Sequence, residues 1–430
     1  NTEELYQSVA IAYAQSRDPA LLPVAQWQGR VALSPEGRLV AADLASGKAK
    51  PFPFGSRLLR DGAEGRSGAV ALIRSGDSDT GQLLVTKNAS QGMGHGHFDR
   101  LNWLYFDGGD EIVTDYGAAR FHNVEAKYGG RYLPENETWA KQSIAHNVLV
   151  VDGRSHFDGQ LGPAEEHPAE QLHFADSADF SVSIGRERNA YPGVAMTRAV
   201  ALVAVPGLAK RVVVDLLRVE SGAPHRYDLP LHFQGHLIEL GPEFTVNTAV
   251  RPVLGQGAGY EHIWVDAMAQ SQQRPVMTWQ NHTRFHSWHW VPQPGSSVIL
   301  AESGAGDPRF GLRREPMIIQ RVEGASNALF AGVLEGHGTY DPDSERVTAS
   351  RSQIAAVEAG TVPGADIAVI TTRAGAKVTD RTGATHNIAF SNIHSAKLVL
   401  TDRLIASTAP LNSAGADEID EDNPDVEQED

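Results

Sequence analysis

The sequence predicts a mainly β protein, a large antiparallel β-sandwich preceded by one short helix. Three observations carry this. From about residue 56 onward, short runs rich in Val, Ile, Leu and aromatic residues alternate with turn formers, with no helical pattern between them. Only the opening residues show apolar positions at helical spacing. Hydrophobic residues make up 41% of the 430 positions without an apolar run near 18 residues, so there is a core to build and no helical membrane span.

In chain order, Thr2 caps a helix whose first turn holds Glu3 and Glu4 and whose stripe is Leu5, Tyr6, Val9 and Tyr13, until Asp18-Pro19 stops it. Residues 1–25 therefore read as one helix with nothing of its own to bury against. Residues 26–55 read as a linker, because PEG, ASG and PFPFG punctuate them. The sandwich spans 56–345, with strands expected in GAVALIR, GQLLVTK, LNWLYF, DEIVTDY, HNVLVVDG, VALVAV, RVVVDLLRV, SSVILAE and ALFAGVLE. Shorter runs such as DIAVITT and KLVLTD place a smaller C-terminal sheet in 346–411. Residues 412–430 form an acidic tail expected to be disordered.

Composition narrows the chemistry. There is no cysteine, so disulfides and thiolate metal sites are excluded and any metal must sit on His, Asp or Glu. The net charge is −16, of which the last fifteen residues supply nine carboxylates, leaving about −7 elsewhere. Neither figure suits a nucleic-acid partner, which needs a surplus of Lys and Arg. Against that background Arg120, Lys127, Arg131 and Lys141 form a slightly basic segment, a hint of an anionic ligand. The opening residues lack the features of a signal peptide, and with no Met at position 1 the chain reads as a mature or truncated product.

The chemistry-bearing stretch starts at GMGHGHFDR, where His95 and His97 stand two apart before a strand. Such a pair can ligate a metal, transfer protons or be structural. A cupin-type metal barrel also opens with this pattern, but the Glu it needs four or five positions on is replaced by Leu101 and Asn102. A hairpin returning through EIVTDYG would bring Asp115 back beside the pair, and AHNVLVV supplies His146. Two imidazoles and a carboxylate, completed by water, satisfy zinc without cysteine. Asp99 or Asn147 would fix the imidazole tautomers.

GHGHFDRLNWLYFDGGDEIVTDYGAARF, continuing through NVEAKYGGRYLPENETWAKQSIAHNVLVVDGRSHF, resembles the heparinase II/III-like polysaccharide lyases, and within them the exolytic oligoalginate lyases. YPGVAMTRAV, HRYDLPLHFQG and GYEHIW extend the likeness downstream. The resemblance implies an α/α toroid packed on the sandwich, with substrate in the cleft between them. The opening helix then reads as the end of the last toroid helix, and the toroid, with its Asn-His pair and main catalytic Tyr, lies outside this chain. By position in the motif, His97, Asp115 and His146 resemble ligands of one structural zinc ion. His95 resembles the catalytic-side histidine, and Tyr132 stands beside it as a further catalytic candidate. Arg120, Lys127 and Tyr132 match positions that hold the uronate.

The implied reaction is β-elimination on a 1,4-linked uronate. The C5 proton leaves, oxygen 4 is expelled, and enolate charge builds on the carboxylate. Donors aimed at that charge lower the barrier, and a Tyr can carry the proton if nearby cations depress its pKa from about 10. The implied partners are an alginate-type oligosaccharide and the toroid, in cis or as a separate chain, with a homodimer also compatible. The implied location is the bacterial periplasm or the exterior. Two other functions stay open: a glycosaminoglycan lyase and a non-catalytic uronate-binding module. Plainer readings stand beside the site assignments. Tyr132 could fill a loop, Arg120 could pair with Glu125 or Asp115, and His225, His232 and His236 read as core hydrogen-bonders. Trp288, His289 and Trp290 read as packing between sheets, and His337 is left unassigned.

Overall fold

The structure is a computed structural model. It describes residues 3–76, 81–92, 95–119, 133–205, 207–270, 273–304 and 313–362, then strands within 365–407. Helices α1 (Glu3–Ser16), α2 (Leu21–Gln28) and α3 (Pro35–Ala45) open the chain. They share a small core of Ala10, Tyr13, Leu22, Ala25 and Val40.

This corrects the reading of one lone helix followed by a linker over 26–55. The Pro and Gly of SPEG start a helix there instead of breaking one. Ser34 caps α3 by accepting the Gly37 N–H at 3.1 Å, and Pro35 occupies the first turn, where its missing N–H costs nothing. Gly37 is required because a Cβ there would lie 1.8 Å from the Ala32 carbonyl oxygen. Asp43 ties the helices together, accepting from Tyr13 Oη at 2.7 Å and from Lys48 Nζ at 2.6 Å.

Antiparallel sheets follow. Five strands between Arg57 and Val113 form a meander. A nine-stranded and a six-stranded sheet face each other behind it. One core joins all three, with Ile73, Leu84, Trp103 and Tyr105 from the meander, Leu202, Val213, Trp279, Trp288 and Trp290 from the nine-stranded sheet, and Leu231, Val298 and Ile318 from the six-stranded one. The Trp residues at 288 and 290 therefore pack between sheets.

The strands Ile354–Val362, Ala365–Thr372, Ser395–Leu400 and Leu404–Ser407 form a further sheet. Ile354, Ala368 and Ile370 bury the outer face of the nine-stranded sheet against Ala199, Ala201, Val212 and Val214. That second contact explains why VALVAV and VVVDLLRV read as continuous apolar runs: both faces of those strands are covered. The segment Arg346–Thr348, expected in the small sheet, instead pairs with Ala328–Asp341 of the large one. The expected strand in HNVLVVDG shrinks to Val150–Val151. The acidic tail, 412–430, lies outside the described residues.

Candidate metal centre and active site

The meander's last strand, Asp110–Val113, runs on as extended chain, and Val113 bridges to Phe233 next to the six-stranded sheet. The Thr114 N–H donates to the His232 carbonyl at 3.1 Å. This crossing places Asp115 where the two sheets meet. A π-helical turn, Asn136–Ala140, and a 3₁₀ turn, Ser143–Ala145, bring His146 to the same point. His97, just before the strand Asn102–Asp107, completes the group: donor atoms of His97, Asp115 and His146 all lie within 4.8 Å of one another.

The hydrogen bonds around His146 fix its chemistry. Nε2 lies 3.1 Å from the Ala140 carbonyl oxygen, which can only accept, so Nε2 carries the hydrogen. Nδ1 is then a bare lone pair facing Asp115 Oδ2 at 2.8 Å. Two acceptors at that distance need a cation between them, either a proton or a metal. An imidazole whose far nitrogen donates to a backbone carbonyl is the usual arrangement of a ligating histidine. The donor set of two nitrogens and a carboxylate oxygen therefore fits zinc on the chemistry of the residues themselves.

Charge agrees with geometry. Burial opposes protonation of His146, yet the Asp115 carboxylate, by charge and hydrogen bond, holds the ring above its ordinary value. Burial would raise Asp115, but the charge and hydrogen bond of His146 hold it well below the carboxylate range. Burial, then His146, pushes His97 down to about 4.

The group that orients the centre is Asn102. Its Nδ2 donates to Asp115 Oδ2 at 2.8 Å, and its Oδ1 accepts the Asn147 N–H at 3.1 Å. Sequence reasoning noted Asn102 only as a missing cupin ligand. Asp99 and Asn147, expected to fix the tautomers, do other work. Asp99 accepts from Lys87 Nζ at 2.6 Å. Asn147 donates to the carbonyls of Trp103 and Thr114 at 3.0 and 2.8 Å and accepts from the His232 N–H at 2.7 Å, tying three segments behind the site. Arg313 was also missed: it stacks on Tyr116, 4.5 Å from the ring centre, and pairs with buried Glu315 at 2.9 Å. Burial pushes the Glu315 carboxyl up to about 7.

His95 is exposed, two residues before half-buried His97, so the pair is divided between solvent and the centre. Arg120, Lys127 and Tyr132 lie outside the described residues. Of the three downstream histidines, only His232 is a core hydrogen-bonder, with Nε2 3.0 Å from the Ile144 carbonyl. His236 is exposed and His225 is partly so. His337 bonds Ser287 Oγ and the Ala349 carbonyl, each at 2.8 Å, away from the centre.

The chain is 46% identical over 396 residues to an alginate lyase of Stenotrophomonas maltophilia, covering 92% of this chain and 53% of that protein. It is 44% identical over 382 residues to an exo-oligoalginate lyase of Saccharophagus degradans, covering 88% and 52%. The chain thus spans about half the length of these curated relatives. A solved heparinase III shares the fold, with a TM-score of 0.51 at 10% identity, covering 86% of this chain and 44% of that one. Residues 57–342 match the family model "Heparinase II/III-like, C-terminal", and the chain belongs to that family.

Proposed function

We propose that this chain is the sandwich part of a polysaccharide lyase that cleaves alginate oligosaccharides by β-elimination, leaving an unsaturated uronate. The observation that carries this is the identity of 44–46% to proteins named alginate lyase and exo-oligoalginate lyase, sustained over about nine-tenths of the chain.

In this reading His97, Asp115 and His146 hold one zinc ion. When bound, it supplies a fixed positive charge that links the meander to the six-stranded sheet. His95, exposed two residues away, donates to the substrate carboxylate as enolate charge develops there. Arg120 and Lys127 meet neighbouring carboxylates, Arg120 through its planar fork. Tyr132 lines the reacting sugar, while the main base comes from a helical domain that precedes this chain. The helical cluster supports such a neighbour, since Leu5, Trp27 and Leu33 are 50%, 52% and fully exposed.

The test is an assay on alginate oligosaccharides, followed by absorbance of the new double bond, with residues 1–430 alone and joined to the preceding helical domain. Proton abstraction by a positioned base is worth about 10²–10⁴-fold. The joined protein is expected to turn over and the chain alone to be slower by at least that factor. Robust turnover by 1–430 alone, abolished by Tyr132→Phe, would make Tyr132 the base. No turnover by the joined protein would refute the lyase reading.

A further inference from the structure

The strand Val212–Ser221 leaves the nine-stranded sheet at Ser221, and His225–His232 begins in the six-stranded sheet only four positions later. So short a link keeps the two side chains together: His225 Nε2 lies 3.1 Å from Ser221 Oγ. On the other side of the ring, Nδ1 lies 2.7 Å from Asp152 Oδ2. Asp152 sits in the turn after Val150–Val151, the strand paired with Tyr227 and Asp228. Its second oxygen accepts the Arg226 N–H at 2.9 Å, which fixes the carboxylate.

Carboxylate, imidazole and hydroxyl therefore follow one another in the order that nucleophilic catalysis requires. The acceptor at Nδ1 places the ring hydrogen there, leaving the Nε2 lone pair to face the hydroxyl. Both contacts lie inside the working range for such a relay, about 2.6–3.2 Å. The hydroxyl is also reachable. Ser221 lines a surface pocket of about 340 Å³ with Arg188, Gly193, Val194, Glu220, Gly222 and Asn327. Asn327 Oδ1 accepts the Ser221 N–H at 3.2 Å, which brings an amide group beside the nucleophile.

We propose that Asp152, His225 and Ser221 form a second catalytic centre, a serine esterase for short acyl esters whose alcohol portion carries a carboxylate. The small walls at Gly193, Val194 and Gly222 suit an acetyl-sized acyl group. Arg188 is the cation that would meet the anion, since Glu220, the carboxylate of the same pocket, stands 3.7 Å from Arg218. Arg188 stands 3.7 Å from Glu170, whose carboxylate is already held by Arg186 at 3.1 and 2.7 Å, so its charge is only loosely committed. Ser221 Oγ attacks the ester carbonyl carbon as its proton passes to His225 Nε2. The bond from acyl carbon to alcohol oxygen breaks, and the imidazolium returns the proton to the departing alcohol. Water then attacks the acyl-serine by the same route, releasing the carboxylic acid and restoring Ser221.

The experiment uses residues 1–430 with 4-acetoxybenzoate and phenyl acetate, and a fluorophosphonate probe located by peptide mass. Hydrolysis of 4-acetoxybenzoate is expected at least about 10²-fold above buffer, the low end for acid–base assistance, with the probe on Ser221. Ser221→Ala and His225→Ala should return the rate to buffer without moving the melting temperature, and Arg188→Ala should remove the preference for the carboxylated ester. A wild-type rate equal to buffer, or hydrolysis and labelling that persist in Ser221→Ala, would overturn the proposal. The outcome is independent of the lyase reading, because no residue is shared.

Discussion

His146 Nδ1 faces Asp115 Oδ2 at 2.8 Å while its Nε2 is committed to the Ala140 carbonyl, so the contact holds only with a cation between the two groups. A proton or a metal ion meets that need; with the proposed metal in place, protein purified without chelator should carry about one zinc per chain by elemental analysis, and removing it should lower the melting temperature, because the assembled site exists only in the folded state. Asn102→Ala removes a donor to Asp115 and an acceptor for Asn147 while leaving all three candidate ligands in the sequence. It should weaken metal binding about 10–100-fold, the usual cost of losing an orienting partner. Absence of any transition metal in such a preparation would rule the centre out.

Much of this site was legible because local pattern and tertiary role coincide there. His97, Asp115 and His146 each flank a strand or turn whose alternation is readable, and the three meet. What stayed hidden depends on contacts between distant segments. Ser34-Pro35 looks like a break in composition and becomes a helix start only once α3 has α1 to pack on. Asn102 looks like a strand residue until the crossing at Val113 brings Asp115 beside it. His225 shows no motif with Asp152, 73 positions away, because only sheet pairing joins them.

Acid should destabilise the fold through buried neutral histidines. His156 accepts the Arg100 N–H on Nδ1 at 3.2 Å and donates from Nε2 to the Leu149 carbonyl at 3.1 Å, so it is satisfied only when uncharged. Burial holds His156 down to about 3 and His232 to about 4. With folded values below the unfolded value of about 6.5, the unfolded chain binds more protons between the two. Stability from these rings is full above pH 6.5 and falls as pH drops toward 4, by about 1.4 kcal/mol per pH unit for each ring. Urea unfolding of metal-free protein at several pH values should show this slope, reduced by about one proton in His156→Gln. A slope unchanged by that substitution would contradict the assignment.

Behind the site, Arg198 and Asp215 form a buried two-pronged pair, Nε to Oδ1 at 2.7 Å and Nη2 to Oδ2 at 2.6 Å. Arg198 also donates to the Leu101 carbonyl at 3.0 Å and to that of Asn147, so it links the nine-stranded sheet to the metal-bearing segments. Arg198→Met leaves a buried carboxylate uncompensated and should cost about 3–5 kcal/mol in chemical denaturation. Arg198→Met with Asp215→Leu should recover most of that loss, since neither charge remains to be desolvated. A single variant as stable as the wild type would show the pair to be hydrated in solution.

The last prediction separates the histidines two positions apart. His97 is half-buried with its ring centre 5.1 Å from that of His146, whereas His95 is exposed. His97→Ala removes a ligand and should release the metal and lower the melting temperature. His95→Ala alters an exposed side chain, so stability should stay within about 0.5 kcal/mol and metal content should not change. On the proposed lyase reading, with the proposed helical domain joined to the chain, loss of a donor to developing charge should nonetheless slow turnover about 10²–10³-fold. Wild-type turnover in His95→Ala would remove it from the reaction. Metal lost with His95 and retained without His97 would reverse the two roles, because exposure would then have failed to identify which imidazole faces the substrate.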